Sequence, residues 1–174
     1  MQERKLSSEM KFDGKLIKVT YDVAEVNGKE AWREGVHHPG ASAVVAIDED
    51  NRIIIEKQFR YALNDYLLEI PAGKLDAGED PLVCAKRELE EETGIIASEW
   101  ISLGTIATSP GFCNEVIHLY VAKGLSKGEI HWDEDEYVEV ERYTFDELLQ
   151  CIKDETIKDS KTLSALLLAM PHLK

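Results

Sequence analysis

Residues 73–95 read GKLDAGEDPLVCAKRELEEETGI, and the fold is most legible in this stretch. Asp80 carries a carboxylate suited to cap a helix N-terminus. Pro81 follows at the first helical position, where a missing N–H costs nothing. Gly94 suits the left-handed residue that ends a helix. Helical periodicity between these limits puts Leu82, Ala85 and Leu89 on one face, the expected buried face. Glu88 and Glu92 fall one turn apart on a neighbouring stripe, with Glu91 beside them. Three carboxylates this close repel one another, and a divalent cation removes the conflict. Oxygen ligands of this kind suit Mg²⁺ or Mn²⁺ better than zinc. Arg87 stands four residues before Glu91, in reach to orient that side chain.

Outward from the helix, the chain alternates strands and turns. Residues 1–13 are polar and expected to fray. Residues 15–26 favour a strand, Asn27-Gly28 a hairpin turn, and residues 29–34 the return strand. His37-His38-Pro39-Gly40 breaks the pattern, which marks residues 1–40 as an N-terminal hairpin unit and 41–174 as the main domain. Strands are expected over 43–47, 52–59, 67–71, 100–106, 116–122 and 137–143. A second helix starts at Thr144, whose spacing to Glu147 fits a capping box, and a third covers 161–172. The fold class is α+β, with helices flanking a sheet.

With 174 residues the chain is long enough for one domain with a core and a small appendage. Mean hydropathy of -0.28 fits a globular protein. A net charge of -14 argues against nucleic acid as partner, since phosphate backbones call for a basic surface. It leaves open a small phosphorylated ligand, because a bound cation reverses the local field. Cys84, Cys113 and Cys151 are odd in number and far apart, which suggests neither zinc nor disulfides and fits a cytoplasmic protein. The charged N-terminus lacks a signal-peptide pattern, and the apolar run 163–170 is too short to span a membrane.

A bare glutamate run reads as a solvated helix face. Here it is part of a longer spacing: Gly73, Glu79, Arg87-Glu88-Leu89, Glu91-Glu92 and Gly94-Ile95, nine positions that all match the Nudix box. The sequence resembles the Nudix hydrolase family, which implies a mixed sheet sandwiched between helices and metal-dependent cleavage of nucleoside diphosphates linked to another moiety. By that resemblance Glu88 and Glu92 are metal ligands, with the carbonyl of Ala72 as a further one. Glu91 binds metal or a bound water, and Glu79 and Arg87 brace the loop and helix. Mg²⁺ is the implied cofactor, with Mn²⁺ as substitute.

Further segments resemble the ADP-ribose pyrophosphatase branch of that family: Glu69-Ile70-Pro71-Ala72-Gly73, Ser109-Pro110-Gly111-Phe112, with Pro110 15 residues after Ile95, His37-His38-Pro39-Gly40-Ala41, Lys57-Gln58-Phe59-Arg60 and Lys158-Asp159-Ser160-Lys161-Thr162. The implied reaction is hydrolysis of ADP-ribose to AMP and ribose 5-phosphate. Hydrolysis of another nucleoside diphosphate sugar such as GDP-mannose is the alternative, and a non-catalytic sensor the remote one. The acidic run before residue 137 resembles the loop that carries the catalytic glutamate in this branch. It makes Glu134 a candidate base and Glu136 a metal contact, with Glu91 the competing base. Arg60 is the candidate to hold a substrate phosphate through its paired N–H donors. Glu115 could accept hydrogen bonds from the terminal ribose. Trp32, Arg33 and Glu34 correspond to a segment that crosses to the other subunit in this branch and holds adenine, which implies a homodimer, swapped through the N-terminal unit.

Overall fold

A computed structural model describes residues 2–131 and 137–173. The chain falls into two units, one of Met1–Gly40 with Ala107–Val116 and one of Ala41–Ile106 with Ile117–Lys174.

In the first unit, β1 (Arg4–Asp13), β2 (Lys18–Val26) and β3 (Lys29–His37) form an antiparallel sheet in that order. Residues 4–13 are therefore strand and not frayed chain. Polar cross-strand pairs hold them: Arg4 to Glu25 at 2.6 Å, Ser8 to Asp22 at 2.6 Å and Lys5 to Asp22 at 3.2 Å. Asn27 (φ 53) and Gly28 (φ 75) make the tight turn between β2 and β3, where positive φ is required. Residues 107–116 join this unit through backbone bonds, with the Val36 N–H donating to the Phe112 carbonyl at 2.7 Å and the Asn114 N–H to the Val36 carbonyl at 3.1 Å.

The second unit is built on β4 (Ala41–Ala46), a strand buried at every residue. It pairs antiparallel with β7 (Ala72–Lys74) and parallel with β9 (Val116–Lys127), and β8 (Ile95–Ala107) lies outside β9. A second, antiparallel sheet runs β10 (Val138–Tyr143), β5 (Ile53–Arg60), β6 (Asp65–Glu69). Side chains alternate across β4, and both faces are covered. Ala43 and Val45 pack in a cluster with Leu148 of α2 (Phe145–Lys153) and with Ala165, Leu166 and Ala169 of α3 (Ser160–Ala169). Val44 and Ala46 pack with Ala85 and Leu89 of α1 (Pro81–Thr93). The result is the α+β arrangement of a mixed sheet between helices.

Helix α1 begins where the sequence places it. The Asp80 carboxylate accepts the backbone N–H groups of Leu82 at 2.9 Å and Val83 at 3.3 Å, and Gly94 (φ 65) closes the helix onto the Glu90 carbonyl. Its buried face differs from the apolar pattern. Leu82 is half-buried, whereas Cys84 and Glu92 are buried beside Ala85 and Leu89. The left-handed Gly94 also turns the chain straight into β8, which starts at Ile95 and not near residue 100. Thr144 and Glu147 form the capping box of α2. Among the described residues, no helix is long and apolar enough to cross a membrane.

Candidate active site

The site grows from two adjacent backbones, β7 and the second half of α1. Gly73 has no side chain, and the Glu88 carboxylate fills the space a side chain would take. A Cβ on residue 73 would lie 1.8 Å from the Glu88 carboxyl carbon and 1.9 and 2.2 Å from its oxygens. One residue earlier, the Ala72 N–H donates to Glu92 Oε2 at 3.0 Å. Glu92 is only 3% exposed, so this carboxylate is turned inward on the strand and not displayed to solvent. The two glutamates that share a stripe of α1 therefore both close on Ala72–Gly73.

Arg87 holds the neighbouring acids in register. Its Nη1 donates to Glu88 at 2.7 Å and to Glu91 at 2.9 Å, while Nε and Nη2 grip Glu79 at 3.1 and 3.0 Å. Nη2 also reaches the Lys74 carbonyl at 3.2 Å, so the guanidinium ties helix, loop and strand together. Glu79 in turn accepts the Asp76 N–H at 2.9 Å, closing the loop between β7 and α1. Hydrogen bonding from Arg87, aided by that N–H, holds the Glu79 carboxyl below the usual range, and Glu79 in turn raises the Arg87 guanidinium above its own. One guanidinium set against three carboxylates leaves the cluster strongly negative, and Glu92 adds to it.

The donors fit a hard divalent cation: carboxylates of Glu88 and Glu92 gathered on a backbone that a glycine keeps open. Among the described residues, no three His, Cys, Asp or Glu side chains are already grouped as a metal centre. Ala72, whose carbonyl the sequence resemblance adds as a ligand, stands on β7 next to Gly73. Cys84, which the sequence left without a part, is buried beneath the strand with Sγ 3.6 Å from the Gly73 carbonyl and 3.4 Å from that of Lys74. Burial pushes its thiol up to about 11, so it stays a neutral packing group.

Arg60, at the end of β5, is engaged within its own unit. Its Nε and Nη2 donate to the two oxygens of Glu69 at 2.8 and 2.6 Å, and its side chain remains 39% exposed. The buried Lys161 ammonium pairs with the same Glu69 carboxylate. Nothing local in the sequence signals this pair, whose members stand 92 residues apart. Burial pushes the Glu69 carboxyl up, but Arg60 and Lys161 outweigh it and leave the group below its usual range. A depressed carboxyl contributes stability above its unfolded value and loses it as pH falls through the folded value. Acid unfolding should thus include a loss that begins near pH ~4 and continues below. Glu69→Gln should flatten that limb in urea melts taken across pH, and an unchanged slope would remove Glu69 from the account.

The other sequence candidates fall in the first unit or outside the described residues. Trp32, Arg33 and Glu34 lie on β3. Trp32 is 70% exposed and tilts against Tyr21 at 5.2 Å, Arg33 pairs with Glu3 at 2.7 Å, and Glu34 is exposed. Glu115 accepts the Thr108 hydroxyl at 2.8 Å and stands 3.2 Å from His38 Nδ1. Glu134 and Glu136 lie outside the described residues. The chain approaching them is tied to the end of α1, with the His131 N–H donating to the Glu91 carbonyl at 3.1 Å and the Gly128 N–H to the Gly94 carbonyl at 2.8 Å.

Comparison with known proteins gives the family of the chain. The chain is 50% identical to the methanol dehydrogenase activator of Bacillus methanolicus over 168 residues, covering 95% of this chain and 91% of that one. It is 42% identical to an ADP-ribose pyrophosphatase of Bacillus subtilis over 171 residues, covering 95% and 91%. It is 31% identical to a GDP-mannose pyrophosphatase of Cronobacter sakazakii over 171 residues, covering 91% and 87%. A crystal structure of an ADP compounds hydrolase superposes with a TM-score of 0.86 over 98% of this chain and 94% of that chain, at 23% identity, and so shares the fold. Residues 36–166 match the profile of the NUDIX domain, which takes in β4, β7 and the whole of α1, and the chain belongs to the Nudix hydrolase family.

Proposed function

We propose that the chain hydrolyses the diphosphate bond of ADP-ribose to AMP and ribose 5-phosphate, with Mg²⁺ held by Glu88, Glu92 and the Ala72 carbonyl and with Glu136 as a further contact. The observation that carries the reading is the closure of the Glu88 and Glu92 carboxylates on the Ala72–Gly73 backbone. Identity of 42% to an ADP-ribose pyrophosphatase supports the choice of substrate. When bound, the cation neutralises phosphate charge and lowers the pKa of water. The protein's own residues do the rest. Arg87 keeps Glu88 and Glu91 in position, and Arg60 offers its exposed edge to a phosphate. Glu91 is committed to the Arg87 pair, which favours Glu134 as the base that takes the proton from the attacking water. Glu115 accepts hydroxyl groups of the terminal ribose.

In this reading the chain works in the cytoplasm as a homodimer through residues 1–40. The exposed Trp32 would stack on adenine, with Arg33 and Glu34 completing that subsite. The apolar side chains Leu6, Met10 and Phe12 lie exposed on β1, which supports burial against a second copy. A fully active monomer in sedimentation and turnover assays would discard the shared site. For the substrate, the test is a ranking of kcat/KM for ADP-ribose, GDP-mannose and other nucleoside diphosphate sugars, with products identified. ADP-ribose should lead, and turnover confined to a sugar nucleotide without adenine would replace it.

A second reading draws on the 50% identity to the methanol dehydrogenase activator: the chain would raise the turnover of a methanol dehydrogenase. Addition of the purified chain with Mg²⁺ to such an enzyme decides it. Unchanged dehydrogenase turnover, while ADP-ribose is being hydrolysed in the same mixture, discards this reading.

A further inference from the structure

The segment Lys158-Asp159-Ser160-Lys161-Thr162 stood out in the sequence, and the reaction described above leaves it without a task. In the structure it is the start of α3. Asp159 caps the helix, accepting the Thr162 N–H at 2.9 Å and the Thr162 hydroxyl at 2.6 Å, and that hydroxyl accepts the Ile70 N–H at 3.0 Å. The cap therefore holds the chain between Glu69 and Ala72 from one side, while Glu92 holds it from the other through the Ala72 N–H.

Lys161 is harder to explain as structure alone. It is 8% exposed, and a buried lysine loses hydration that its ion pairs seldom restore in full. Glu69 already has a two-pronged partner in Arg60. For stability alone, an apolar residue of similar length at position 161 would serve as well or better. What a second cation changes is the potential around Arg60. The field of a guanidinium paired alone with a buried carboxylate is largely cancelled, whereas an ammonium on the same carboxylate offsets part of that cancellation. Asp159 also contacts Lys161, at 3.1 Å, with its charge partly taken up by the N-terminus of α3, and Glu92 and Asp159 both act on Arg60 through space, less than Glu69 does.

We propose that Lys161 is a positioning residue for the diphosphate reaction: its ammonium offsets Glu69, so that Arg60 is fixed in orientation by that carboxylate while the group keeps a positive potential toward a substrate phosphate. The inference rests on the reading that Arg60 holds a phosphate. Glu69 uses Nε and Nη2 of Arg60, so Nη1 is the edge left outside this pairing. The buried lysine acts through the arginine and does not touch the substrate.

Four variants of the full-length protein, each checked for a cooperative thermal transition, test it with ADP-ribose and Mg²⁺. Arg60→Ala should raise KM about tenfold or more, the loss of a charged hydrogen bond. Lys161→Gln keeps a donor for Glu69 and removes the charge. It should raise KM about tenfold with kcat changed by less than about threefold, the pattern of a lost binding interaction. The double variant Glu69→Gln/Lys161→Gln removes both charges and should bring KM back to within about threefold of the parent. Glu69→Gln alone keeps one acceptor for Arg60 and removes the charge that Lys161 offsets, so its KM should rise less than that of Arg60→Ala, and it decides the matter should Lys161→Gln not fold. An unchanged KM in Arg60→Ala would sink the phosphate reading and this inference with it. A raised KM in Arg60→Ala beside a parental KM in Lys161→Gln overturns the inference alone. So does a double variant, or Glu69→Gln, whose KM sits at the Arg60→Ala level, since a purely structural brace would behave that way.

Discussion

Glu92→Gln should lower kcat for ADP-ribose by about 10²- to 10³-fold, the usual cost of losing one well-placed electrostatic group, and should raise the Mg²⁺ concentration needed for half-maximal rate. The substitution separates charge from packing. Glutamine keeps the size of the side chain and an oxygen to accept the Ala72 N–H, now met at 3.0 Å by Glu92 Oε2. The helix face and β7 should therefore stay joined, with urea midpoints close to the parent. Only the negative charge that would hold a cation is gone. A Glu92→Gln protein as active as the parent, with the same Mg²⁺ requirement, would remove Glu92 from the site.

The second large effect comes from the smallest change. Gly73→Ala should reduce kcat about 10²-fold, since a displacement near 1 Å of a reacting group has that cost. The reason is steric and not conformational. The added methyl would fall on the Glu88 carboxylate, within 1.8 Å of its carbon, and one of the two must leave. Glu88 is also bound to Arg87 at 2.7 Å, so its displacement would propagate to Glu91 and Glu79 through the shared guanidinium. The same substitution at Gly28, on the turn between β2 and β3, meets no atom within 4 Å and should cost stability through its positive φ without this loss of rate. A crystal structure of Gly73→Ala with Glu88 unmoved and normal turnover would contradict the account.

What could be read from the sequence follows from how local each signal is. Helix α1 has its N-cap, its proline and its terminating glycine within one short stretch, and these act on the backbone next to them. The capping box of α2 is legible for the same reason. The strand β1 was not, because polar cross-strand pairs hold it in place of an apolar alternation. The inward turn of Glu92 was also hidden. Helical periodicity placed it with Glu88 on an acidic stripe, but the close approach of β7 buries it and supplies the Ala72 N–H. The Arg60–Glu69–Lys161 group joins the ends of β5 and β6 to α3, and only the folded chain brings these together. Arg60 could be picked out as a candidate phosphate ligand, but the carboxylate that orients it and the lysine behind that carboxylate could not.

Product analysis of the purified protein tests this hydrolysis most directly, with and without ADP-ribose, in Mg²⁺ and with EDTA in place of Mg²⁺. The account predicts AMP and ribose 5-phosphate in equal amounts, only with substrate and Mg²⁺ present, and their loss in EDTA. Turnover that persists in EDTA, or intact ADP-ribose in Mg²⁺ with a folded protein, would contradict it.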